Sequence, residues 1–275
     1  MAVPCSSATL VVWTTAWLHG AAASDDVLDA MQVWAELHEV AAADDDIATR
    51  LDLPGPGQPP AALASLLATL RKKQADDGRL ILPVPGDVRG LGGNGPLATA
   101  AVRAGEAIVL PTAGMGIVPQ TVADQVVRWT VFELPWMVWP EHMPIGEAEH
   151  ELAGAMRQAA TRLIDLDVTR QRTGVREEIE AVVTAQPAPP WPTGMPPRSL
   201  RVLQRATEVA AILRIASLDA PGAAVSASAI RARAEALRPL SEAVRNARYA
   251  AIDEAVRVLS TSRTALSDSG LDSEA

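Results

Sequence analysis

The sequence predicts an α+β protein, with an N-terminal part that holds a small mixed β-sheet and helices and an all-helical C-terminal part packed on it. Short segments rich in Val, Ile, Trp and Thr recur up to residue 145, whereas residues 146–266 show helical periodicity. The chain has 275 residues, of which 48% are hydrophobic, so it can bury most of its apolar surface. We therefore expect a sheet-containing part (1–145), a helical part (146–266) and a flexible tail (267–275).

The N-terminal part is predicted to mix strands and helices. The apolar run at residues 8–18 (ATLVVWTTAWL) predicts a buried first strand, because Val, Trp and Thr favour strands. Ser24-Asp25-Asp26 is a favourable helix start, and the apolar spacing after it predicts a helix over 25–38. A second helix is predicted over 63–73, after a connector rich in Pro and Gly. Further strands are predicted at 79–84, 106–110 and 126–134.

The strand predicted at 126–134 has no polar face, which is typical of a central strand. Beyond residue 146 the helical spacing is interrupted by a Pro-rich spacer, 187–197, that cannot be helical. Pro239 is expected to kink or split the final helix. The predicted C-terminal helices cover 147–172, 175–185, 200–216 and 226–264.

Composition excludes several classes of function. A net charge of −9 and a sequence pI near 5.0 argue against nucleic acid and against an anionic membrane as partners. Residues 187–266 contain eleven Arg against six acids, and we interpret these Arg stripes as solvated faces or bridges to the acidic N-terminal half. The single Cys, Cys5, excludes an intramolecular disulfide and a multi-Cys metal site. We expect no cofactor, and the sequence does not define an oligomeric state.

The N-terminus resembles a secretory signal, because an apolar run precedes the small residues Ala21-Ala22-Ala23. However, no Lys or Arg precedes the run, and the run is too short to span a bilayer. We therefore predict that the segment stays on the protein as part of the fold and that the protein is cytoplasmic.

Several segments resemble those of a conserved family of uncharacterised actinobacterial proteins. The resemblance would cover most of the chain, and the abundance of Arg over Lys is typical of a high-GC genome. That family has no established activity, catalytic residue or cofactor, so the resemblance implies only a housekeeping or accessory role. The segments are LILPVPGDVRGLGG, EAIVLP, RWTVFEL, PEHMPIGEAEH and AIDEAVRVL.

The glycine-rich stretch at residues 83–96 (PVPGDVRGLGGNGP) is a candidate anion-binding loop. It follows a predicted strand and leads into a short helix, so its backbone N–H groups could form a nest for a phosphate or carboxylate. Arg89 could add a bidentate contact and Asp87 could act as a base. The candidate ligand-binding residues are Arg89, Gly90, Gly92, Gly93 and Gly95. The stretch matches neither a Walker A motif nor a dinucleotide fingerprint, and a tight turn with Asp87 and Arg89 paired is the favoured alternative.

A second glycine-containing stretch, residues 111–116, follows the next predicted strand. If the two strands are neighbours, both loops could lie at one sheet edge, where open α/β sheets bind ligands. A simple hairpin turn is the alternative.

The run at residues 136–144 (WMVWPEHMP) lies between prolines and is expected to be an extended loop. Trp136, Trp139 and His142 could bind a partner, because Trp and Met are typical interface anchors. The alternative is that the loop covers the core with its Trp side chains. His142, with Glu141 beside it, is also the best candidate for general acid–base work.

No metal site is predicted. Glu147-x-x-His150 resembles half of a di-iron carboxylate motif, but His38 is preceded by Ala35 and the second half is missing.

Two functions of different classes remain. The leading hypothesis is a non-catalytic binding or accessory protein that recognises a macromolecular partner through the 136–142 loop and the Arg-bearing helices. The alternative is an enzyme acting on an anionic metabolite, in which the Gly86–Gly95 loop holds the anion and Asp87 or His142 moves a proton.

Overall fold

The computed structural model of the protein describes residues 5–134, 142–165, 174–218 and 227–268. The strands are β1 (Leu37–Ala42), β2 (Ala61–Ala62), β3 (Arg79–Ile81), β4 (Ala107–Leu110), β5 (Met115–Ala123) and β6 (Val126–Glu133). The helices of this described part are α1 (Ser6–Leu18), α2 (Ser24–Met31), α3 (Asp45–Leu51), α4 (Leu63–Lys72), α5 (Pro96–Ala104), α6 (Ile145–Asp165), α7 (Val175–Thr184), α8 (Pro197–Leu218) and α9 (Ala227–Asp268). The α+β class predicted from the sequence is confirmed.

The six strands form one mixed sheet in the order β2-β1-β6-β5-β4-β3. Only the β1–β6 pair is parallel, and the other neighbours are antiparallel. Strand β6 lies between β1 and β5, as expected for a strand without a cleanly polar face.

The apolar run after Cys5 forms helix α1, so the prediction of a first strand there is wrong. Every residue from Ser6 to Trp17 is buried. A helix buried on all sides is apolar all round, and its sequence lacks the 3.6-residue periodicity that would distinguish it from a buried strand. The hydroxyls of Thr14 and Thr15 donate hydrogen bonds to the carbonyl groups of Leu10 and Val11, which satisfies them inside the helix.

Two other predictions for the N-terminal part are corrected. The helix predicted over 25–38 ends at Met31, and Leu37 already begins strand β1. Trp34 and Leu37 continue the helical spacing by coincidence, because the alternating burial of residues 37–42 belongs to a strand. Strand β5 was not predicted, because Gly114 and Gly116 suggested only a turn.

The two faces of the sheet are covered by different helices. Residues of α5 pack on one face, where a Cβ added at Gly116 of β5 would lie 2.5 Å from Leu97. The opposite face of β4 carries Ile108, and a Cβ at Gly78 would lie 2.7 Å from Val11 of α1 and 3.4 Å from Ile108. Successive strand residues point to opposite faces, so the sheet has helices on both sides. The buried cluster on the α5 side comprises Ile81, Leu91, Leu97, Ala98, Ala101, Ala107, Val109 and Val118.

The described residues form two compact units. The sheet unit contains residues 5–134, 188–196 and 252–268. The helical unit contains residues 142–165, 174–187, 197–218 and 227–251, and its core is built from α6, α8 and α9. Its central buried residues are Ile145, Leu152, Ala159, Val202, Ala206, Val209, Ala210, Leu240, Ala243, Val244, Ala247 and Ala251.

Helix α9 is continuous from Ala227 to Asp268 and contains Pro239, so the predicted split of the last helix is not observed. A proline removes one backbone donor, and the flanking turns keep the helix intact on both sides. None of the helices in the described part of the chain is both long enough and apolar enough to cross a membrane.

Candidate functional site

The glycine-rich loop between β3 and α5 begins with a tight turn. The backbone N–H groups of Val84 and Asp87 donate to each other's carbonyl oxygens, at 3.1 and 2.8 Å. Pro85 and Gly86 are the central residues of this turn, and Gly86 has a φ of 88° that favours glycine. Gly90, Gly92 and Gly93 also have positive φ, and Gly95 is the N-cap residue of α5.

Asp87 and Arg89 form an ion pair within this loop. The Nε atom of Arg89 donates to one oxygen of the Asp87 carboxylate and a terminal nitrogen of Arg89 donates to the other, both at 2.8 Å. The two side chains are therefore paired with each other within the turn, although the Arg89 side chain remains 74% exposed. Its guanidinium therefore stands at the surface of the loop that precedes α5.

The glycine-containing stretch at 111–116 is a hairpin turn between β4 and β5, closed by the N–H of Gly114 donating to Pro111. Strands β3 and β4 are neighbours but antiparallel, with Ile81 opposite Ala107. The loop after β3 and the turn after β4 therefore leave opposite ends of the sheet. The expectation that both lie at one edge is wrong, because it holds only for parallel strands.

The remaining predicted residues of the 136–142 loop are only partly described. Trp136 and Trp139 lie outside the described residues. His142 is exposed and belongs to the helical unit, whereas Asp87 and Arg89 belong to the sheet unit. In the helical unit Glu149, near the start of α6, accepts from Arg198 of α8.

Glu106 is the most deeply buried carboxyl group described here. One of its oxygens accepts from the backbone N–H of Ser7 at 2.7 Å, and the other accepts from the Ser6 hydroxyl at 3.4 Å. Burial raises the pKa of Glu106, and the bonds from Ser7, Cys5 and Ser6 partly oppose that rise. From its place just before β4, the side chain thereby caps the first turn of α1. Sequence analysis missed this role because the two segments are about a hundred positions apart.

His38 is held between two partners in the same unit. Its Nδ1 accepts from the indole N–H of Trp129 at 3.1 Å, and its Nε2 donates to the carbonyl of Met31 at 2.9 Å. An indole nitrogen can only donate, so the imidazole is neutral with its proton on Nε2. Burial lowers the pKa of His38 and keeps it in this form.

Three potential metal-ligating side chains meet at the end of α1. His19 follows the helix, Asp76 and Asp77 precede β3, and Ser260 of α9 lies beside them. The Nε2 atom of His19 is 2.9 Å from an oxygen of Asp77 and 3.7 Å from an oxygen of Asp76. The Ser260 hydroxyl donates to the same oxygen of Asp77. Sequence analysis did not select these residues, because His19 is remote in sequence from the two aspartates.

The outer half of strand β5 has a pairing partner on one side only. Strand β4 pairs with Met115–Ile117, whereas β6 pairs with β5 along its whole length. No other strand in the described residues pairs with 118–123, and residues 120–123 are exposed. Val122 lies at a bulge in β5 and is 37% exposed. Leu37, at the start of β1, pairs with Val126 of β6 and is 49% exposed.

Together these features define an α+β protein with a mixed six-stranded sheet, a helical unit and deeply buried polar groups bound to structural partners. The chain belongs to the family of Rv1486c-like proteins, because two models of that family match it. The model described as the N-terminal domain of Rv1486c-like protein matches residues 7–145, and the model described as the C-terminal domain matches residues 146–249.

Relatives from mycobacteria match nearly the whole chain. An uncharacterised protein of Mycobacterium tuberculosis, Rv1486c, is 35% identical over 280 residues, which cover 90% of this chain and 96% of that protein. An uncharacterised protein of Mycobacterium leprae, ML1804, is 33% identical over 287 residues with the same coverage. No solved structure matches the chain significantly. The resemblance to an uncharacterised actinobacterial family is thereby confirmed.

Proposed function

We propose that this chain is a non-catalytic accessory protein that binds a protein partner through an extended segment of that partner. The outer half of β5, which pairs with β6 alone among the described strands, carries this proposal. A strand edge exposes a row of backbone N–H and C=O groups, which an extended peptide pairs with most readily. Val122 supplies an exposed apolar side chain on this part of β5, where such a peptide would gain apolar contact.

The chemistry of the buried polar groups also supports a non-catalytic role. Strongly shifted pKa values often indicate an active site. Here burial shifts the pKa of Glu106 and of His38, and the hydrogen bonds of both groups are made to structural partners within the fold. Glu106 holds the start of α1, and His38 joins β1 to β6 and to the end of α2.

Crosslinking at chosen positions tests the proposal. A photoreactive amino acid placed at Val122 in the protein's own cell is expected to form an adduct with one protein, and Val122→Asp is expected to abolish co-purification of that protein. Ile212 on α8, which is 42% exposed, is the matched control for both measurements. The same adducts from both positions, or unchanged co-purification with Val122→Asp, would contradict the proposal.

An enzyme acting on an anionic metabolite is the second candidate, and the start of α5 favours it. Gly95 caps this helix without a side-chain hydrogen bond, so the N–H groups that follow Pro96 in its first turn could donate to an anion, with Arg89 of the preceding loop as a further partner. Phosphate and nucleotides are then expected to raise the melting temperature of the wild type and not that of Arg89→Ala. Without an anion, Arg89→Ala is expected to cost less than about 1 kcal/mol, because the ion pair is exposed. If no anion raises the wild-type melting temperature, this candidate fails.

We also infer that the protein acts in the cytoplasm. The segment that resembles a secretory signal supplies helix α1, whose residues are buried within the sheet unit. A segment that is removed on export would not be expected to form the core of the fold.

A further inference from the structure

We propose that His19, Asp76 and Asp77 form a binding site for a divalent transition-metal ion, with Zn²⁺ as the best match. The site lies in the sheet unit, away from the β5 edge and the glycine-rich loop, and it is independent of the proposed partner-binding role. One imidazole nitrogen and two carboxylates are a ligand set that zinc accepts, with a fourth position left for water.

The geometry of the three side chains fits a small ion. Their ligand atoms all lie within 4.8 Å of one another. A metal about 2.0–2.2 Å from each ligand requires about 3.0–3.5 Å between neighbouring ligand atoms. The Nε2 atom of His19 is 2.9 Å from Asp77 and 3.7 Å from Asp76, so small side-chain rotations suffice. In the metal-free protein a proton on Nε2 bridges to Asp77, and the metal would replace that proton.

The surroundings of the site hold its ligands in place. His19 is the C-cap residue of α1 and is only 21% exposed, so its imidazole starts from a fixed backbone position. Asp77 accepts from the hydroxyl of Ser260, which belongs to α9. A hydrogen bond to a ligating carboxylate fixes its orientation, and such partners commonly change metal affinity by about 10- to 100-fold. Ser260 is therefore a positioning residue for Asp77.

Two features of the local charge favour a cation. Two carboxylates that face one ligand position repel each other unless a positive charge lies between them. The site is also at the C-terminal end of α1, where the helix dipole adds negative potential. The imidazole distinguishes the site from an all-oxygen cluster, because nitrogen ligands favour zinc over magnesium or calcium.

Calorimetry on the chelator-treated, tag-free full chain tests the site, with Zn²⁺ and Mg²⁺ as the probes. A Cys5→Ser background removes the only thiol as a ligand. We expect saturable binding of one Zn²⁺ with a rise in melting temperature and no comparable binding of Mg²⁺. Asp76→Asn and His19→Ala are expected to weaken Zn²⁺ binding at least tenfold, and Ser260→Ala about tenfold.

Asp52→Asn is the matched control. Asp52 is an exposed carboxylate of the same unit that pairs with Lys72, and Asn tolerates its left-handed backbone. This variant is expected to bind Zn²⁺ as the wild type does. Because Asp76 is exposed, Asp76→Asn keeps the test valid if His19→Ala fails to fold. Equal Zn²⁺ affinity in the wild type and in Asp76→Asn, equal affinity for Mg²⁺, or no saturable binding would overturn the proposal.

Discussion

His38 illustrates how neighbouring groups set the protonation state of a single side chain. A second proton on the imidazole would remove the acceptor that binds the Trp129 indole, and burial opposes the added charge. The neutral ring therefore stabilises the junction of β1, β6 and α2. The lowered pKa of His38 is a consequence of its burial in this junction.

We predict that this group makes the fold sensitive to acid. Because the folded-state pKa of His38 lies below the ordinary 6.5, the unfolded chain takes up this proton first. The stabilisation is complete above pH 6.5 and is lost as the pH falls from there through the folded-state pKa. The loss is at most about 1.4 kcal/mol per pH unit.

Denaturant unfolding of the wild type and of His38→Gln between pH 7.5 and 5.5 measures this effect. The wild type is expected to lose more free energy of unfolding over this interval than the variant. Contributions from Glu106 and other groups cancel in the difference between the two proteins. An equal loss in both proteins would show that His38 does not titrate on unfolding.

At the scale of elements, the close contact of α5 with the sheet requires a glycine, Gly116, in β5. Gly116 lies under Leu97, and an added Cβ would come within 2.5 Å and 2.6 Å of its methyl groups. Leu97 is buried and cannot move into solvent. Gly116→Ala is therefore expected to cost about 1–3 kcal/mol of folding free energy through overpacking.

A double-mutant cycle with Leu97→Ala checks this prediction. The smaller residue at position 97 leaves room for the methyl group that Gly116→Ala adds, so the double variant should lose less stability than the sum of the single losses. Additive losses would contradict the prediction, because they would show that the cost of Gly116→Ala does not arise at its contact with Leu97.

Periodicity predicted some elements of this fold and failed for others, for physical reasons. Helix α4 and strand β6 were predicted because each leaves a pattern in the sequence. The helix has one apolar stripe, and in the strand every second residue, Val127, Trp129 and Val131, is buried. Helix α1 was predicted as a strand because complete burial removes the periodicity of a helix. Strand β5 was missed because Gly116, which allows α5 to approach, follows Gly114 in a stretch that resembles a turn.

The candidate sites were harder to predict than the elements. Asp87 and Arg89 could be paired from the sequence because they are two positions apart in one turn. The cap that Glu106 provides for α1 and the cluster of His19 with Asp77 join segments that meet only in the folded sheet unit. Such contacts require the strand order, which a single sequence does not define.

For the whole molecule, the position of α1 determines how its N-terminus should be interpreted. The indole of Trp13 donates to Pro190 at 2.8 Å, and that of Trp34 donates to Thr9 at 3.0 Å. With the cap from Glu106, these bonds tie α1 to three separate segments of the sheet unit. Removing residues 1–23 would expose the core that α1 covers, so we predict that residues 6–18 remain on the folded protein.

Two substitutions distinguish a core helix from a cleaved signal. Val12 is fully buried in α1, and Val12→Asp is expected to unfold the protein because it places an unpaired charge in the core. Ala23→Asp, at the exposed N-cap of α2, would block cleavage after a small residue but should leave the melting temperature unchanged or slightly higher, because Asp is a favourable N-cap. Thermal unfolding of both variants and the intact mass of protein from its own cell measure these outcomes. Two results together would contradict the role of α1 in the core. One is a mature mass that lacks residues 1–23, and the other is a melting temperature that Val12→Asp does not change.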